Sequence, residues 1–424
     1  MRLEDFVTLS EIDTDLLSDV GHPNDFISVC KRFNNNKRGF LFVNHKQGKH
    51  VPMNPNSIYS LFRVYADKAR EGIFGKKARF MSSEEWKNSV GRNVVFVGFA
   101  ETATAFGMSS AWLNRGIYMQ TSRSYLTDGI TSTQLEHINF SEEHSHAVGQ
   151  YVYKTNTESD DVSLDYLKSA ESIVFCEDEI TTGKTILNLV SALRNKGWVS
   201  EDVKFYTMSV LNWQSEESLE KFKVANVTPL WLVKGLLKDS INDVEVSDVQ
   251  DFDTSYYNPD DVPPELFNLY LHMPTQYGLL RHGYDFRVLY EKFYEMIRVE
   301  ASKVKKLVDE LGWHRICVLG TEEYMFIPMM IAMQLCHEGY EVKFHATTRS
   351  PITPSKDYII SSGRKFHSLE NFEVVNYLYN YEPNNYDGTV VIASVDTDRD
   401  KMNTVDNLAP VGKCIFYKAE DYDE

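Results

Sequence analysis

The chain has 424 residues, 42% of them hydrophobic, and a formal net charge of −17 at pH 7, which predicts two or three domains with sizeable cores. The acidic charge argues against nucleic acid or an anionic membrane surface as a partner. The five cysteines show no disulfide or metal spacing, and no apolar run approaches the ~18 residues of a membrane span, so we expect a cytoplasmic protein.

The first predicted strand follows a polar stretch, residues 1–37, that shows little periodicity. Residues 39–43 are apolar and predict a strand, and Asn54, which is followed by a proline, predicts the start of a helix. Lys49 and His50 fall in the turn between these elements. They are either part of a solvated turn or a pair that contacts the base or the phosphate of a ligand.

A second strand, residues 93–99, leads through a short junction into a helix of small and apolar residues. Ala100, Glu101 and Thr102 form this junction, directly after Gly98 and Phe99. Junctions of this kind are common in α/β proteins, so this one gains weight only from its position before the segment 172–185.

The next strand, residues 116–120, is followed by a polar segment that contains Arg123. Arg123 is a candidate for binding an anionic group at a strand end. A further polar stretch contains His144 and His146. These two histidines are half of a metal site, a substrate contact or part of a plain surface loop, and no further ligands at metal spacing accompany them.

The most informative segment is Ser172 to Thr185. It predicts a buried strand at residues 173–176, with Glu177 and Asp178 at its carboxyl end, and a helix that begins at Lys184. Small residues at a helix amino terminus offer free N–H groups and partial positive charge to a phosphate. Two neighbouring carboxylates suit the vicinal hydroxyls of a sugar. The segment therefore predicts a pocket for ribose 5-phosphate, whose phosphate turn comprises Thr181, Thr182, Gly183, Lys184 and Thr185.

This segment resembles the phosphoribosyl pyrophosphate (PRPP) motif of type I phosphoribosyltransferases: four hydrophobic residues, two acids, two variable residues and a Thr-Thr-Gly-x-Thr turn. A Walker A loop is the main competitor, because Gly183, Lys184 and Thr185 are present. That loop also needs a glycine where this chain has Asp178. A capped helix after an acidic strand end is the third interpretation, and it does not explain the acid pair.

The resemblance implies that PRPP binds with Mg²⁺, and we predict no metal-binding residues in the chain. Glu177 and Asp178 would be the catalytic residues, contacting the ribose hydroxyls and the developing oxocarbenium ion. Thr181 stands where purine-salvage members often carry an aspartate proposed as the base, so the general base stays unassigned. The same resemblance implies a diphosphate site of Ala100, Glu101, Thr102 and Arg123, and an acceptor site on a hood with Lys49, His50, His144 or His146.

The alternation of strands and helices predicts an α/β fold with a parallel sheet and crossover helices, and ligands at the carboxyl ends of the strands. We expect a phosphoribosyltransferase-like (Rossmann-like) domain with an amino-terminal hood at residues 1–240. Residues 239–264 are acidic and proline-containing, which indicates a linker or boundary. A second α/β domain is expected at residues 260–424.

The second domain repeats features of the first in the same order. Residues 319–323, Leu-Gly-Thr-Glu-Glu, correspond to residues 97–101, and Thr348 to Ser350 correspond to the segment around Arg123. We therefore predict an internal duplication. In the second copy the charged sequence Thr-Asp-Arg-Asp-Lys stands in place of the phosphate turn.

Residues 348–351, Thr-Arg-Ser-Pro, resemble the TRSP domain, which follows a phosphoribosyltransferase-like domain in a bacterial family. That family is associated with tellurium-resistance gene clusters and a predicted nucleoside-like metabolite. Glu323, Arg349 and Ser350 are candidates for a second-domain site, where Arg349 binds an anion or forms a structural salt bridge. The implied partners are PRPP and a base-like small molecule. A homodimer and a non-catalytic, PRPP-sensing regulator are left open.

Overall fold

A computed structural model describes most of the chain. The described residues are 1–33, 38–76, 81–89, 92–123, 136–140, 150–154, 156–159, 162–253, 269–274, 283–368, 374–393 and 414–422. His144 and His146 lie outside them, as does the part of the predicted linker from residue 254 to residue 264.

Nine α-helices occur in the described residues. The longest of the amino-terminal half begins as predicted after Asn54, whose side chain accepts the Asn56 N–H at 2.9 Å, with proline in its first turn. The helices are α1 (Thr14–Leu17), α2 (Pro23–Phe26), α3 (Pro55–Phe74), α4 (Ser83–Ser89), α5 (Thr104–Leu113), α6 (Lys184–Asn195), α7 (Glu216–Val224), α8 (Phe286–Glu310) and α9 (Phe326–His337).

Twenty strands occur in the same residues. In the first half they are β1 (Val7–Ile12), β2 (Ile27–Lys31), β3 (Phe40–Asn44), β4 (Val94–Gly98), β5 (Ile117–Ser122), β6 (His137–Phe140), β7 (Gln150–Tyr153), β8 (Asn156–Ser159), β9 (Val162–Asp165), β10 (Ser172–Ile180), β11 (Lys204–Asn212) and β12 (Val227–Leu237). The remainder are β13 (Leu269–Pro274), β14 (Gly283–Asp285), β15 (Arg315–Gly320), β16 (Glu341–Ala346), β17 (Gly363–His367), β18 (Val375–Tyr379), β19 (Gly388–Ala393) and β20 (Cys414–Tyr422).

The larger sheet has the order β1-β12-β11-β10-β4-β5-β7-β6, with β14 also paired to β5. Its centre, from β12 to β5, is parallel, as the α/β alternation predicts. Antiparallel strands β1 and β7 flank this centre. Strand β14 comes from residues 283–285, so a segment of the predicted second domain completes the first sheet.

The amino-terminal stretch is more regular than its sequence pattern indicates. Residues 7–12 form the edge strand β1, antiparallel to β12. Residues 27–31 pair with residues 40–44 in the two-stranded sheet β2–β3. The partner of β1 lies more than 200 residues along the chain, so no local pattern announces the pairing.

The second sheet has the order β13-β20-β19-β15-β16 and is parallel throughout. The four strands β20-β19-β15-β16 repeat the arrangement β11-β10-β4-β5 of the first sheet, whereas the edge strand β13 comes before β15 in the chain and β12 comes after β11. The helix that follows β15 corresponds in position to the helix that follows β4. The two halves therefore share the strand order that the predicted duplication requires.

A large buried core runs through both halves, from Leu3 to Ile392. Helix α9 lies at its centre and contacts α3, α5 and α8. Nearly every residue of α9 is buried, which explains why it is apolar on all sides rather than on one face. Within the described residues, none of the helices combines the length and the apolar character that crossing a membrane requires. The domain bounds 1–240 and 260–424 stay a prediction.

Candidate functional site

The acid pair, Glu177 and Asp178, lies on β10 just beyond the point where the neighbouring strand β4 ends. Strand β10 reaches Ile180 and is longer than predicted, because its pairing with β11 continues to the end. Its pairing with β4 stops at Cys176, opposite Gly98. Glu177 and Asp178 are thus held by β11 on one side, and on the other side they face the loop that follows β4.

The phosphate turn connects β10 to α6 as the sequence predicts. Gly183 has φ +68° and caps the helix that begins at Lys184. A Cβ atom on Gly183 would lie 2.3 Å from the Phe222 ring, so only glycine fits both the backbone conformation and the space. Helix α6 buries its predicted apolar stripe: Ile186, Leu189, Val190 and Leu193.

The junction between β4 and α5 is tightly closed. A Cβ atom on Gly98 would lie 2.9 Å from the Thr104 Cα, which shows how closely α5 approaches the strand end. The Ala100–Glu101 peptide bond is cis. The Ala100 N–H donates to the Thr121 Oγ1 at 2.8 Å. This bond fixes the junction against the carboxyl end of β5.

One cleft brings the two junctions together. Lys184, whose side chain is exposed, is the one predicted turn residue outside its lining. The predicted residues that line it are Ala100, Glu101, Thr102, Arg123, Glu177, Asp178, Thr181, Thr182, Gly183 and Thr185. The segments 97–102 and 172–185, about 75 residues apart in the sequence, therefore face each other across a single space at the carboxyl ends of parallel strands.

Arg38 and Glu179 also line this cleft, and sequence reasoning missed both. The Arg38 guanidinium lies 2.5 Å from the Glu179 carboxylate. Glu179 had a signal, since it is the third of three consecutive acids. Arg38 had none, because its partner is 141 residues away.

Two carboxyl groups at the cleft have pKa values that are shifted in opposite directions. Burial, together with the neighbouring Glu179 charge, raises the pKa of Asp178 to about 7. Burial would also raise the pKa of Glu101, but the charges of Lys49, Arg123 and Arg349 outweigh it and lower that pKa to about 2. Asp178 can therefore change its protonation near neutral pH, whereas Glu101 stays ionised.

A tyrosine of α3 holds the acidic end of β10. The Glu177 N–H donates to the Tyr65 hydroxyl at 3.1 Å, and that hydroxyl hydrogen-bonds the Met208 carbonyl. Tyr65 is fully buried. The backbone that carries the acid pair is thus tied to a helix outside the sheet.

Lys49 and His50 are buried rather than solvated, and neither lines the cleft. The Lys49 Nζ lies 2.5 Å from the Glu101 Oε1 and donates to the carbonyls of Glu322 (2.6 Å) and Thr347 (2.9 Å). Burial, with the charge of Lys49, lowers the pKa of His50 to about 3. Lys49 joins the two halves, and the acceptor role suggested for this pair stays a prediction.

The candidate residues of the second domain lie beside the junction of the first. Glu323 accepts the Arg123 N–H at 2.9 Å, and the Arg349 N–H donates to the Glu101 carboxylate at 3.2 Å. The Arg349 guanidinium forms a buried ion pair with Glu322. Ser350 is in a local turn, where its N–H donates to the Thr348 Oγ1 at 3.1 Å.

Within the described residues, no group of three or more His, Cys, Asp or Glu side chains could hold a metal ion. The cleft does place two carboxyl groups, Glu177 and Asp178, opposite the β4–α5 junction. That donor set suits a hard cation that arrives with most of its ligands on a phosphorylated substrate.

Comparison with known proteins defines the class. Residues 26–231 match the family model described as phosphoribosyl transferase, and residues 280–409 match the model described as the TRSP domain C-terminal to it. The chain is therefore a phosphoribosyltransferase. It belongs to the family in which a phosphoribosyltransferase domain is followed by a TRSP domain, and the two matches together span most of its length.

A search among curated proteins found no match. Among solved structures, the chain is similar to the adenine phosphoribosyltransferase of Giardia lamblia in complex with 9-deazaadenine, with 11% identity, 52% of this chain and 98% of that chain covered, and a TM-score of 0.32. For the Saccharomyces cerevisiae enzyme the identity is 11%, the match covers 52% of this chain and 99% of that chain, and the TM-score is 0.30. For the Leishmania donovani enzyme the identity is 14%, the match covers 54% of this chain and 86% of that chain, and the TM-score is 0.30. Similarities of this size say nothing about ligand or reaction.

Proposed function

We propose that this phosphoribosyltransferase uses PRPP with Mg²⁺ and transfers ribose 5-phosphate to a base-like acceptor. The observation that carries the proposal is the single cleft shared by the acid pair, the phosphate turn and the β4–α5 junction with Arg123. A phosphorylated sugar with a diphosphate leaving group needs these three elements within one molecule's length of each other.

The 5-phosphate would bind at the turn that begins α6. The first backbone N–H groups of a helix have no intrahelical partner, and together with the helix dipole they favour an anion. Thr181, Thr182 and Thr185 add hydroxyl donors around them. Gly183 gives the turn its left-handed backbone and allows it to pass beside Phe222.

Glu177 and Asp178 would accept hydrogen bonds from the ribose hydroxyls. As the bond between C1′ and the diphosphate oxygen breaks, positive charge develops on the ribose ring. Ionised carboxylates placed before this charge appears stabilise it without reorganisation. The proton on Asp178, whose pKa is about 7, would leave before or during substrate binding.

The diphosphate would leave into the β4–α5 junction. Residues 100–102 and Arg123 line that side of the cleft, and their backbone N–H groups and the guanidinium would bind the diphosphate. Glu177 and Asp178 would also be the carboxylates that hold Mg²⁺, which when bound would neutralise charge on the diphosphate. Glu101 also lines the cleft, and its carboxylate is held by Lys49 and the Arg349 N–H, so the charge of Lys49 offsets its repulsion of an anionic ligand.

The acceptor is proposed to be base-like, so that the product carries the ribose 5-phosphate, and the reaction is proposed to belong to a nucleoside-like metabolite pathway linked to tellurium resistance. A threonine at position 181 argues against the purine-salvage subclass. The reducing cytoplasm is the proposed compartment, because Cys30, Cys176, Cys317 and Cys336 are free thiols.

Asp178→Asn tests the assignment. We expect the variant to lose at least about 100-fold in turnover, because it cannot become anionic against the oxocarbenium charge, while its circular dichroism is unchanged. The measurement is diphosphate release from PRPP and Mg²⁺ across a panel of bases. Turnover like that of the wild type would contradict the assignment. Tight PRPP binding by the wild-type protein with no release for any base would instead favour a regulator that senses PRPP.

A further inference from the structure

The two halves of the chain share a hydrogen bond at equivalent positions. Two residues after Gly98, the Ala100 N–H donates to the Thr121 Oγ1 at 2.8 Å. Two residues after Gly320, the Glu322 N–H donates to the Thr347 Oγ1 at 2.9 Å. In each half the bond joins the loop after one strand to the carboxyl end of the neighbouring parallel strand.

The next residue of each loop reaches across to the other half. Glu101, three residues after Gly98, accepts the N–H of Arg349. Glu323, three residues after Gly320, accepts the N–H of Arg123. Each arginine stands two residues after the threonine of its own half. The exchange is reciprocal, which is the contact pattern of two copies related by a two-fold axis.

The contacts around this exchange are buried. Glu101 and Glu323 are 4% and 3% exposed. Glu323 also accepts from the Gln120 Nε2 at 3.1 Å, and its carbonyl accepts from the Thr104 Oγ1 at 2.7 Å. Thus Glu323 of the TRSP domain hydrogen-bonds three residues of the first half, which lie in α5, in β5 and directly after β5.

The side chains of the two arginines have different surroundings. Arg123 lines the cleft. Its counterpart Arg349 is turned into the second half, where Glu322 binds its guanidinium. Glu322 in addition accepts from Ser368 and from the Asn376 Nδ2. Arg123 of the first half therefore lies at the cleft, while the equivalent groups of the second half bind one another.

We propose that the TRSP domain acts as a built-in partner subunit for the phosphoribosyltransferase half, and that Glu323 is a positioning residue for its diphosphate site. By binding the Arg123 N–H and the Gln120 amide, Glu323 fixes the backbone from which the Arg123 side chain reaches the cleft. This inference rests on the proposed function, because it assigns the diphosphate to that side of the cleft.

The experiment is calorimetric titration of the full chain with three probes: PRPP with Mg²⁺, inorganic diphosphate with Mg²⁺, and ribose 5-phosphate. In Glu323→Ala we expect about 10-fold weaker binding of PRPP and of diphosphate, since a charge-assisted hydrogen bond to a buried N–H is lost. Ribose 5-phosphate should bind within two-fold of the wild type. Glu323→Gln keeps one acceptor for the Arg123 N–H and should recover part of the loss.

Glu300→Gln is the matched control, since Glu300 is a buried glutamate of the same half whose ion pair is with Lys303 of its own helix. It should leave all three affinities unchanged. Equal weakening of all three probes in both Glu323 variants would indicate general damage and overturn the proposal, as would no weakening. If Glu323→Ala does not fold, Glu323→Gln carries the same contrast. A wild-type protein that binds neither PRPP nor diphosphate would overturn the proposed function itself.

Discussion

Lys49 shows how much of this molecule depends on single buried charges. Its ammonium group has no exposure, and its three hydrogens go to one carboxylate and two carbonyls from both halves. A buried ion pair adds little net stability, but removing one partner leaves the other charge without compensation. The sequence predicted that Lys49 lies in a solvated turn or contacts a ligand. Its true partners could not be predicted, because they are more than 50 residues away and two of them are backbone atoms.

Replacing Lys49 by methionine should therefore destabilise the fold strongly. We expect a loss of about 3 kcal/mol in the free energy of unfolding, because Glu101 would be left buried and ionised. Urea denaturation followed by circular dichroism measures it. The double variant Lys49→Met/Glu101→Gln should recover most of the loss. Lys221→Met, which removes an exposed pair with Glu217, should have no measurable effect.

The pKa of Asp178 predicts how activity depends on pH. A raised carboxyl pKa means that the proton is held more tightly, so the anion needed at the ribose forms only as the pH rises through about 7. The value of kcat/KM should increase about tenfold per pH unit below that point and level off above it.

Glu179→Gln offers a check on this dependence, because it removes the neighbouring charge that helps to raise the pKa of Asp178. The inflection of the kcat/KM profile should then move to lower pH. An inflection that does not move would contradict the cause given for the raised pKa, even where the wild-type profile bends near 7.

Among the elements, the unit β10–turn–α6 was the best predicted from sequence, because everything that defines it is local. The apolar run, the acids, the small residues and the helical stripe all fall within residues 172–193. What could not be predicted depends on pairing over long distances. The edge strand β1, the pair of Arg38 with Glu179 and the contact of Glu323 with Arg123 each join distant parts of the chain, the last over 200 residues.

Gly183→Ala tests the turn as an element. Alanine at φ +68° is strained by about 1–2 kcal/mol, and its Cβ would in addition meet the Phe222 ring. We expect lower stability and at least 10-fold weaker binding of ribose 5-phosphate, measured by urea denaturation and calorimetry. Gly197 is a matched control with φ +66° and open space around its Cβ position. Gly197→Ala should show the backbone strain alone, with unchanged binding.

At the scale of the whole molecule, we expect the two halves to unfold as one cooperative unit. Their sheets have the same order over four strands, and the halves share a core and a central helix that contacts helices of both. The family resemblance named two domains correctly. It could not show that β14 would complete the first sheet, because three residues carry no signal for their partner strand.

Hydrogen exchange measured by mass spectrometry should reveal this unity. Amides of β11 in the first half and β15 in the second should exchange through openings of equal free energy, with equal dependence on urea. The reason is that the two halves share one core, so that we expect neither to unfold without the other. Clearly different values for the two strands would show that the halves unfold separately.

The presence of both halves on one chain has a consequence for how they can change over generations. In a symmetric dimer every substitution occurs twice, so a loop cannot lose a ligand group at one site and keep it at the other. Here Arg123 and Arg349 are encoded separately. A mutation beside one leaves the other untouched. Under the predicted duplication, the second half could therefore lose its phosphate turn while Glu323 continued to hold the first half.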